Sequence, residues 1–237
     1  MLSFAEGEVT RLRREFKLVL EARTAAALCT RLSLELEGLW PSPTRIVSVY
    51  FDRPGQPLAA RAMRTPGDCL KVRTKEYSPD LGASGAARVV LEVKRERRGL
   101  TRKRRVWVPR SELGRALHGG ASLLPLIVGG SLGPVLAVTY TRHVYQSSCA
   151  WRVTVDRDIR YHRIVAEQAL SQFPLTAERL APAQWVEPRV VVEVKHLGHA
   201  LPEWLAALQA GGATAYSKFA EGMTKLHTFA TDGVAGG

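Results

Sequence analysis

Apolar and polar residues alternate one for one through several short stretches of the chain. In Arg14–Leu20, Phe16, Leu18 and Leu20 are interleaved with Glu15 and Lys17. In Cys69–Tyr77, Leu70 and Val72 alternate with Lys71, Arg73 and Lys75, and in Arg88–Arg95, Val89, Leu91 and Val93 alternate with Glu92 and Lys94. Trp151–Asp156 sets Arg152, Thr154 and Asp156 against Val153 and Val155, and Arg189–His196 sets Glu193 and Lys195 against three valines. A period of two is the mark of a β-strand with two unlike faces. Ile46–Arg53, Lys103–Val108 and Val135–Gln146, rich in β-branched and aromatic residues, complete eight predicted strands. Ala22–Gly38 instead carries apolar residues at helical spacing (Ala27, Leu28, Leu32, Leu34, Leu36, then Leu39) and predicts a helix. Shorter helices are predicted over Ser111–Leu117, Pro202–Ala210 and Ser217–Phe229, the second opened by a proline and followed by Gly211 and Gly212. The run Pro79–Ala87 reads as a flexible hairpin tip.

Helices do not alternate regularly with these strands, which argues against a doubly wound parallel sheet. Short connections favour antiparallel neighbours, and eight such strands can close into a barrel. The expected fold is therefore α+β: a closed eight-stranded antiparallel barrel with helices packed outside it. Neither a long linker nor a repeat of solenoid length interrupts the chain, so residues 1–237 are expected to form one domain.

Charge sharpens the picture. Lys and Arg number 34 against 22 Asp and Glu, a formal net charge of +12, which favours a polyanionic partner. The polar face of strand after strand is mainly basic, and a glutamate precedes a lysine by two residues in Glu15/Lys17, Glu92/Lys94 and Glu193/Lys195. Lys103, Arg105 and Trp107 share a face, as do Tyr140 and Arg142. One reading is a sheet whose polar side simply meets solvent. If the apolar faces lie under helices, however, the basic faces line the barrel interior, where they repel one another unless water and an anion fill it. That reading is a tunnel for a polyanion, with glutamates available to a hard divalent cation.

Other classes fit less well. Cys29, Cys69 and Cys149 are odd in number and widely separated, so neither a zinc site nor a disulfide framework is expected, and buried thiols in a reducing compartment are. The opening residues MLSFAEGEVTRLRREFK lack the apolar core of a signal peptide. Gly119–Thr141 is uncharged, but Pro125, Gly129, Gly130, Gly133 and Pro134 break it; it reads as a buried helix end, a turn and a strand start. A cytoplasmic protein without membrane insertion is expected. A nucleic-acid binder would interleave aromatic residues with its basic ones, and here only Tyr140 and Trp107 do so. No histidine has metal-ligand spacing, and His196 and His199 read as surface residues of a loop.

The residues also resemble a known family. REFK at Arg14–Lys17, SVYFD at Ser48–Asp52, LKVRTKEY at Leu70–Tyr77 and LEVK at Leu91–Lys94 followed by KRR at Lys103–Arg105 occur in the order of the VTC domain. So do TYTRHVYQ at Thr139–Gln146, RVTVD at Arg152–Asp156, VVEVK at Val191–Lys195 and YSKFAEG at Tyr216–Gly222. The VTC domain is the polyphosphate polymerase branch of the triphosphate tunnel metalloenzymes, with a CYTH-like fold. The resemblance implies that Lys17, Arg73, Lys94, Arg142 and Arg152 are catalytic phosphate contacts. It implies substrate contacts at Lys71, Lys103, Arg105, Tyr140, Ser217 and Lys218, the last from a helix start, and a metal ligand at Glu193. Two departures stand out: Lys71 where arginine is common, and one glutamate in the opening strand where the hydrolase and cyclase branch has two. The second argues against thiamine-triphosphatase or adenylate-cyclase activity.

The reaction implied is metal-dependent transfer of the ATP γ-phosphate to a polyphosphate chain, with Mn²⁺ or Mg²⁺ on Glu193 bridging phosphate oxygens. A phosphate nucleophile is already ionised at neutral pH and needs no catalytic base. Two alternatives remain: a tripolyphosphatase or nucleoside triphosphatase, with water as acceptor in the same tunnel, and a non-catalytic polyphosphate-binding module. Asp156 is read either as orienting Arg152 or as a structural ion pair.

Overall fold

The computed structural model describes residues 14–35, 43–78, 88–97, 100–118, 131–146, 151–170, 174–196 and 201–232. The hairpin tip Pro79–Ala87, most of the uncharged run before Gly133, the last residues of the first predicted helix, Cys149 and His199 lie outside them.

The alternating stretches form strands where expected: β1 (Arg14–Leu20), β2 (Thr44–Asp52), β3 (Leu70–Ser78), β4 (Arg88–Arg97) and β5 (Leu100–Pro109). They continue with β6 (Gly133–Gln146), β7 (Trp151–His162), a two-residue β8 (Trp185–Val186) and β9 (Val190–His196). Hydrogen bonding runs β1-β9-β7-β6-β2-β3-β4-β5, antiparallel at every step, with β8 beside β7.

The barrel does not close. Among the described residues β1 pairs only with β9 and β5 only with β4, so the sheet is an open, curled half-barrel rather than the closed tunnel expected. Both free edges are charged. Arg14 and Glu15 lie on one, and Arg102, Lys103, Arg104 and Arg105 on the other. Rows of charged side chains on edge strands oppose edge-to-edge pairing. The curl is nevertheless deep enough for Lys94 on β4 to come within 3.8 Å of Glu15 on β1.

Helices cover the convex face in two places. Ala25, Leu28 and Leu32 of α1 (Ala22–Glu35) pack with Phe16, Leu18, Val153 and the valines of β9, joined by Leu205 of α5 (Glu203–Gly212). Leu113, Ala116 and Leu117 of α3 (Leu113–Leu117), with Ala169 of α4 (Ala166–Leu170), pack on Val49, Phe51, Val72, Val93 and Val108.

The remaining helices depart from the expected outer layer. Phe219, Met223 and Leu226 of α6 (Lys218–Asp232) meet Ile46, Tyr50, Leu136, Val138 and Tyr140, which share the concave face with the charged residues. Tyr50 stacks on Phe219 with ring centroids 4.9 Å apart. The approach is close: a Cβ on Gly222 would lie 2.5 Å from Tyr161 Cδ1. Ala59 and Ala62 of α2 (Pro57–Arg64), a helix not predicted from the pattern, join the same cluster. The Asp52 carboxylate accepts hydrogen bonds from the Leu58 and Ala59 amides at 3.1 and 2.8 Å, satisfying the first turn of α2.

A register shift between β6 and β7 explains how β7 serves both parts of this face. Asp156 lies opposite Arg142, and Asp158 adopts φ 52° beyond it. The irregularity shifts the alternation by one residue, so Ile159 and Tyr161 join the apolar concave cluster that even-numbered positions would otherwise face.

Candidate active site

Register assembles the charged part of the concave face into rows. Across β3, β4 and β5 these read Lys71–Lys94–Lys103, then Arg73–Glu92–Arg105, then Lys75–Val90–Trp107. On the other wall Lys17 of β1 pairs with Glu193 of β9, which pairs in turn with Thr154 of β7, and Glu15 pairs with Lys195, which pairs in turn with Arg152. Arg142 of β6 pairs with Asp156 of β7.

Glu92, Glu96 and Asp156 each hold two cations. Glu92, fully buried, accepts from Arg73 Nε at 2.8 Å and Arg105 Nε at 2.7 Å, and Arg73 also donates to the Tyr50 hydroxyl at 3.0 Å. Glu96 receives both Lys71 and Lys94 at 2.7 Å. Asp156 accepts a fork from Arg142 at 2.6 and 2.7 Å and the Lys218 ammonium at 2.5 Å. The Arg142 and Lys218 charges also lie over the Tyr140 ring, 5.3 and 4.8 Å from its centroid. Lys195 donates to Glu15 at 2.5 Å and Glu193 at 2.7 Å, while Lys17 donates to the Tyr216 carbonyl at 3.0 Å. Basic groups outnumber these carboxylates, so the surface is pre-shaped by internal ion pairs and still electropositive.

Titration follows the same balance. Burial, reinforced by Lys94, pulls the Lys17 ammonium down to about 8, and burial together with Arg73 and Arg142 pulls Lys75 well below the usual lysine range. Burial also opposes charge on Lys94, but Glu15 and Glu96 outweigh it and raise its pKa. Burial would raise the carboxyls of Asp156 and Glu96; Lys218 and Arg142 hold the first at about 2, and Lys94 and Lys71 hold the second at about 2. Glu193 lies well below the ordinary carboxylate range because a hydrogen bond with Glu15 and the charges of Lys195 and Lys17 exceed the burial effect.

Lys17, Lys71, Arg73, Lys94, Lys103, Arg105, Arg142, Arg152 and Lys218 all belong to this face or its rim. Asp156 does not orient Arg152, as one sequence reading had it; its oxygens are taken by Arg142 and Lys218, and Arg152 stands in the row of Lys195. Ser217 accepts a hydrogen bond from the Ala220 amide at 3.4 Å, the geometry of a helix cap on α6. His196 is buried at the end of β9 rather than exposed in a loop.

Four contributors were missed. Glu96 continues the Glu92–Lys94 alternation past the predicted end of its strand, and Glu92 and Lys75 sat on the basic face without an assigned role. Tyr50 enters only because β2 borders β3.

Glu193 is not alone as a potential metal donor, since Glu15 shares its Lys195 partner. Two carboxylates around one cation suit a hard divalent ion whose remaining ligands are phosphate oxygens and water. The described residues contain no group of three His, Cys, Asp or Glu able to hold a metal by themselves.

No helix among the described residues is long and apolar enough to cross a membrane. The VTC domain model matches residues 12–227. A Hippeastrum protein named for adenylyl cyclase, with a dominant triphosphatase activity, has a similar fold: TM-score 0.53 at 16% identity over 90% of this chain and 96% of that one. A Bacillus halodurans protein named for adenylate cyclase gives a TM-score of 0.48 at 12% identity over 85% and 87%. The Mimivirus capping enzyme triphosphatase gives 0.41 at 11% over 83% and 87%. No curated protein matches the chain.

Proposed function

The chain belongs to the VTC domain family of the triphosphate tunnel metalloenzymes, and on that premise we propose that its cationic cleft binds a triphosphate group and hydrolyses the terminal phosphoanhydride bond. The observation that carries this reading is the set of basic side chains from six strands and one helix start, several of them held in position by a smaller set of buried and half-buried carboxylates. Lys17, Arg73, Lys94 and Arg142 act as the phosphate clamp. Lys218 and Arg152 neutralise the charge that accumulates on the bridging and terminal oxygens. Because Glu92, Glu96 and Asp156 already fix Arg73, Lys94, Arg142 and Lys218, little ordering of those cations remains to be done when the ligand enters.

Water reaches the terminal phosphorus through the gap between β1 and β5. Its oxygen forms the new bond, the bridging oxygen leaves with its electron pair on the diphosphate fragment, and the proton passes to a phosphate oxygen. Glu193 and Glu15 would hold Mg²⁺ or Mn²⁺, which supplies charge neutralisation across neighbouring phosphate oxygens.

A second reading, transfer of the ATP γ-phosphate to a polyphosphate chain, is favoured by the family match and by the unpaired edges of β1 and β5, between which a chain could extend. Incubating the protein with ATP or tripolyphosphate and Mn²⁺, then separating products on a gel, distinguishes the two. Free phosphate without long polymer supports hydrolysis, and a ladder of long polyphosphate replaces it with polymerisation. Neither product leaves only the binding module.

A further inference from the structure

We infer that the free edge of β5 and the arginine stripe on the outer face beside it form a docking site for an acidic, extended segment of a partner protein, which adds to the sheet as a further strand. The inference does not depend on the phosphate clamp, which lies on the opposite face.

The stripe follows from register. Val89, Leu91 and Val93 of β4 and Val106 and Val108 of β5 pack into the convex cluster, and the two strands pair without a shift. Arg95, Arg97, Arg102 and Arg104 therefore share that outer side. Arg95 lies directly opposite Arg102, and Arg97 and Arg104 extend the stripe in opposite directions by two residues, about 7 Å each. All four are exposed and, among the described residues, none makes a hydrogen bond or an ion pair. On the inner face, by contrast, Glu92, Glu96 and Asp156 each serve two cations. Like charges directly opposite one another destabilise a sheet, so four guanidinium groups without a counter-charge are the feature to be explained.

The edge supplies the other half of the site. Glu96 spends its amide and carbonyl on Cys69, at 2.8 and 3.0 Å, and so makes no ladder bond to Thr101 opposite it. Ladder bonds alternate in an antiparallel pair, so Lys103 and Arg105, like Thr101, aim their N–H and C=O groups away from the sheet. Among the described residues nothing takes these groups up, whereas on the other edge the Thr214 amide donates to the Lys17 carbonyl at 2.9 Å. A strand added to β5 lies about 4.8 Å away with same-face side chains about 7 Å apart, so carboxylates at alternate positions stand beside Arg102 and Arg104. Its backbone also matches the alternating donors and acceptors of β5, which neither a nucleic acid nor a lipid headgroup does. The same basic side chains repel the β5 edge of a second copy, so charge complementarity selects an acidic strand.

The test titrates a fluorescent, capped peptide of alternating glutamate and threonine onto the protein and follows its anisotropy. Binding should weaken about tenfold in the double variant Arg102→Glu/Arg104→Glu, and a lysine–threonine peptide should prefer that variant to the wild type. Replacing the threonines by proline should abolish binding, because the added strand then lacks ladder donors. Hydrogen exchange should slow at the Thr101, Lys103 and Arg105 amides and stay unchanged at Arg102 and Arg104, which already bond to β4. No binding by the wild type, or equal affinity for the wild type and the double variant, overturns the inference. Displacement of the peptide by tripolyphosphate sufficient to fill the clamp does so too, by placing the peptide in the cleft. Tighter binding of a single-stranded oligonucleotide or of phosphatidylserine vesicles, lost in the same variant, replaces it with a nucleic-acid or a membrane contact.

Discussion

Replacing Glu92 by glutamine probes whether internal carboxylates stand in for the ligand. Glu92 is fully buried and is shared by Arg73, itself largely buried, and Arg105, about half exposed. The charges of Arg73 and Lys75 hold its carboxyl well below the ordinary range despite burial. Glutamine keeps the shape and one acceptor but removes the charge and turns an amide donor toward a guanidinium. Breaking a buried ion pair by removing one partner costs about 3–5 kcal/mol. Arg105 can turn toward water, so the lower end, about 3 kcal/mol, is expected. For a chain of this size that is a fall in melting temperature of roughly 6–12 °C. Tripolyphosphate should recover part of the loss, because its oxygens offer Arg73 the negative charge it has lost. Tenfold tighter binding by the variant would return about 1.4 kcal/mol at saturating ligand. Thermal melts with and without tripolyphosphate measure both effects. A variant that melts with the wild type, or gains no more from the ligand than the wild type does, would refute the idea that Glu92 is a resident counter-anion.

Three further outcomes follow from particular contacts. Lys17 has a folded pKa of about 8 against 10.5 for an unperturbed lysine, so the unfolded state holds more protons between those values and stability should rise with pH across that window, by up to about 3 kcal/mol. Urea titrations from pH 7.5 to 10.5 should show the rise in the wild type and a flatter profile in Lys17→Met. Glu193→Gln should retain tripolyphosphate binding and lose metal-dependent turnover, whereas Arg142→Ala should weaken binding itself by about 1.5–3 kcal/mol, both readable by calorimetry beside a phosphate-release assay. Gly222→Ala places a methyl 2.5 Å from Tyr161 Cδ1 and 2.7 Å from Leu136 Cδ2 and should lower the urea midpoint by the equivalent of about 1–3 kcal/mol.

Much of the site was legible because it is written in period two. Lys71, Arg73 and Lys75, or Glu193 and Lys195, must share a face wherever a strand forms, and the apolar residues between them require a partner layer. Glu96 escaped because its strand was ended two residues early, although the alternation continues through it. β7 was ended at Asp156 for a physical reason: the irregularity at Asp158 reverses the pattern, and the residues beyond it look like a new segment.

The chain alone thus determined the strands, the division of each into apolar and basic faces, and membership of a family through motifs in order. Local alternation specifies these because backbone geometry ties side-chain direction to sequence position. Three features depended on distant parts of the chain meeting. The sheet stays open because charged edges at β1 and β5 do not pair, a property of two strands at opposite ends of the path. α6 fills part of the concave face because the apolar residues there match Phe219 and Met223, so Lys218 arrives at Asp156 from 62 residues away. The sharing of Glu92 by Arg73 and Arg105, and of Lys195 by Glu15 and Glu193, is likewise set by cross-strand register, which no single strand contains.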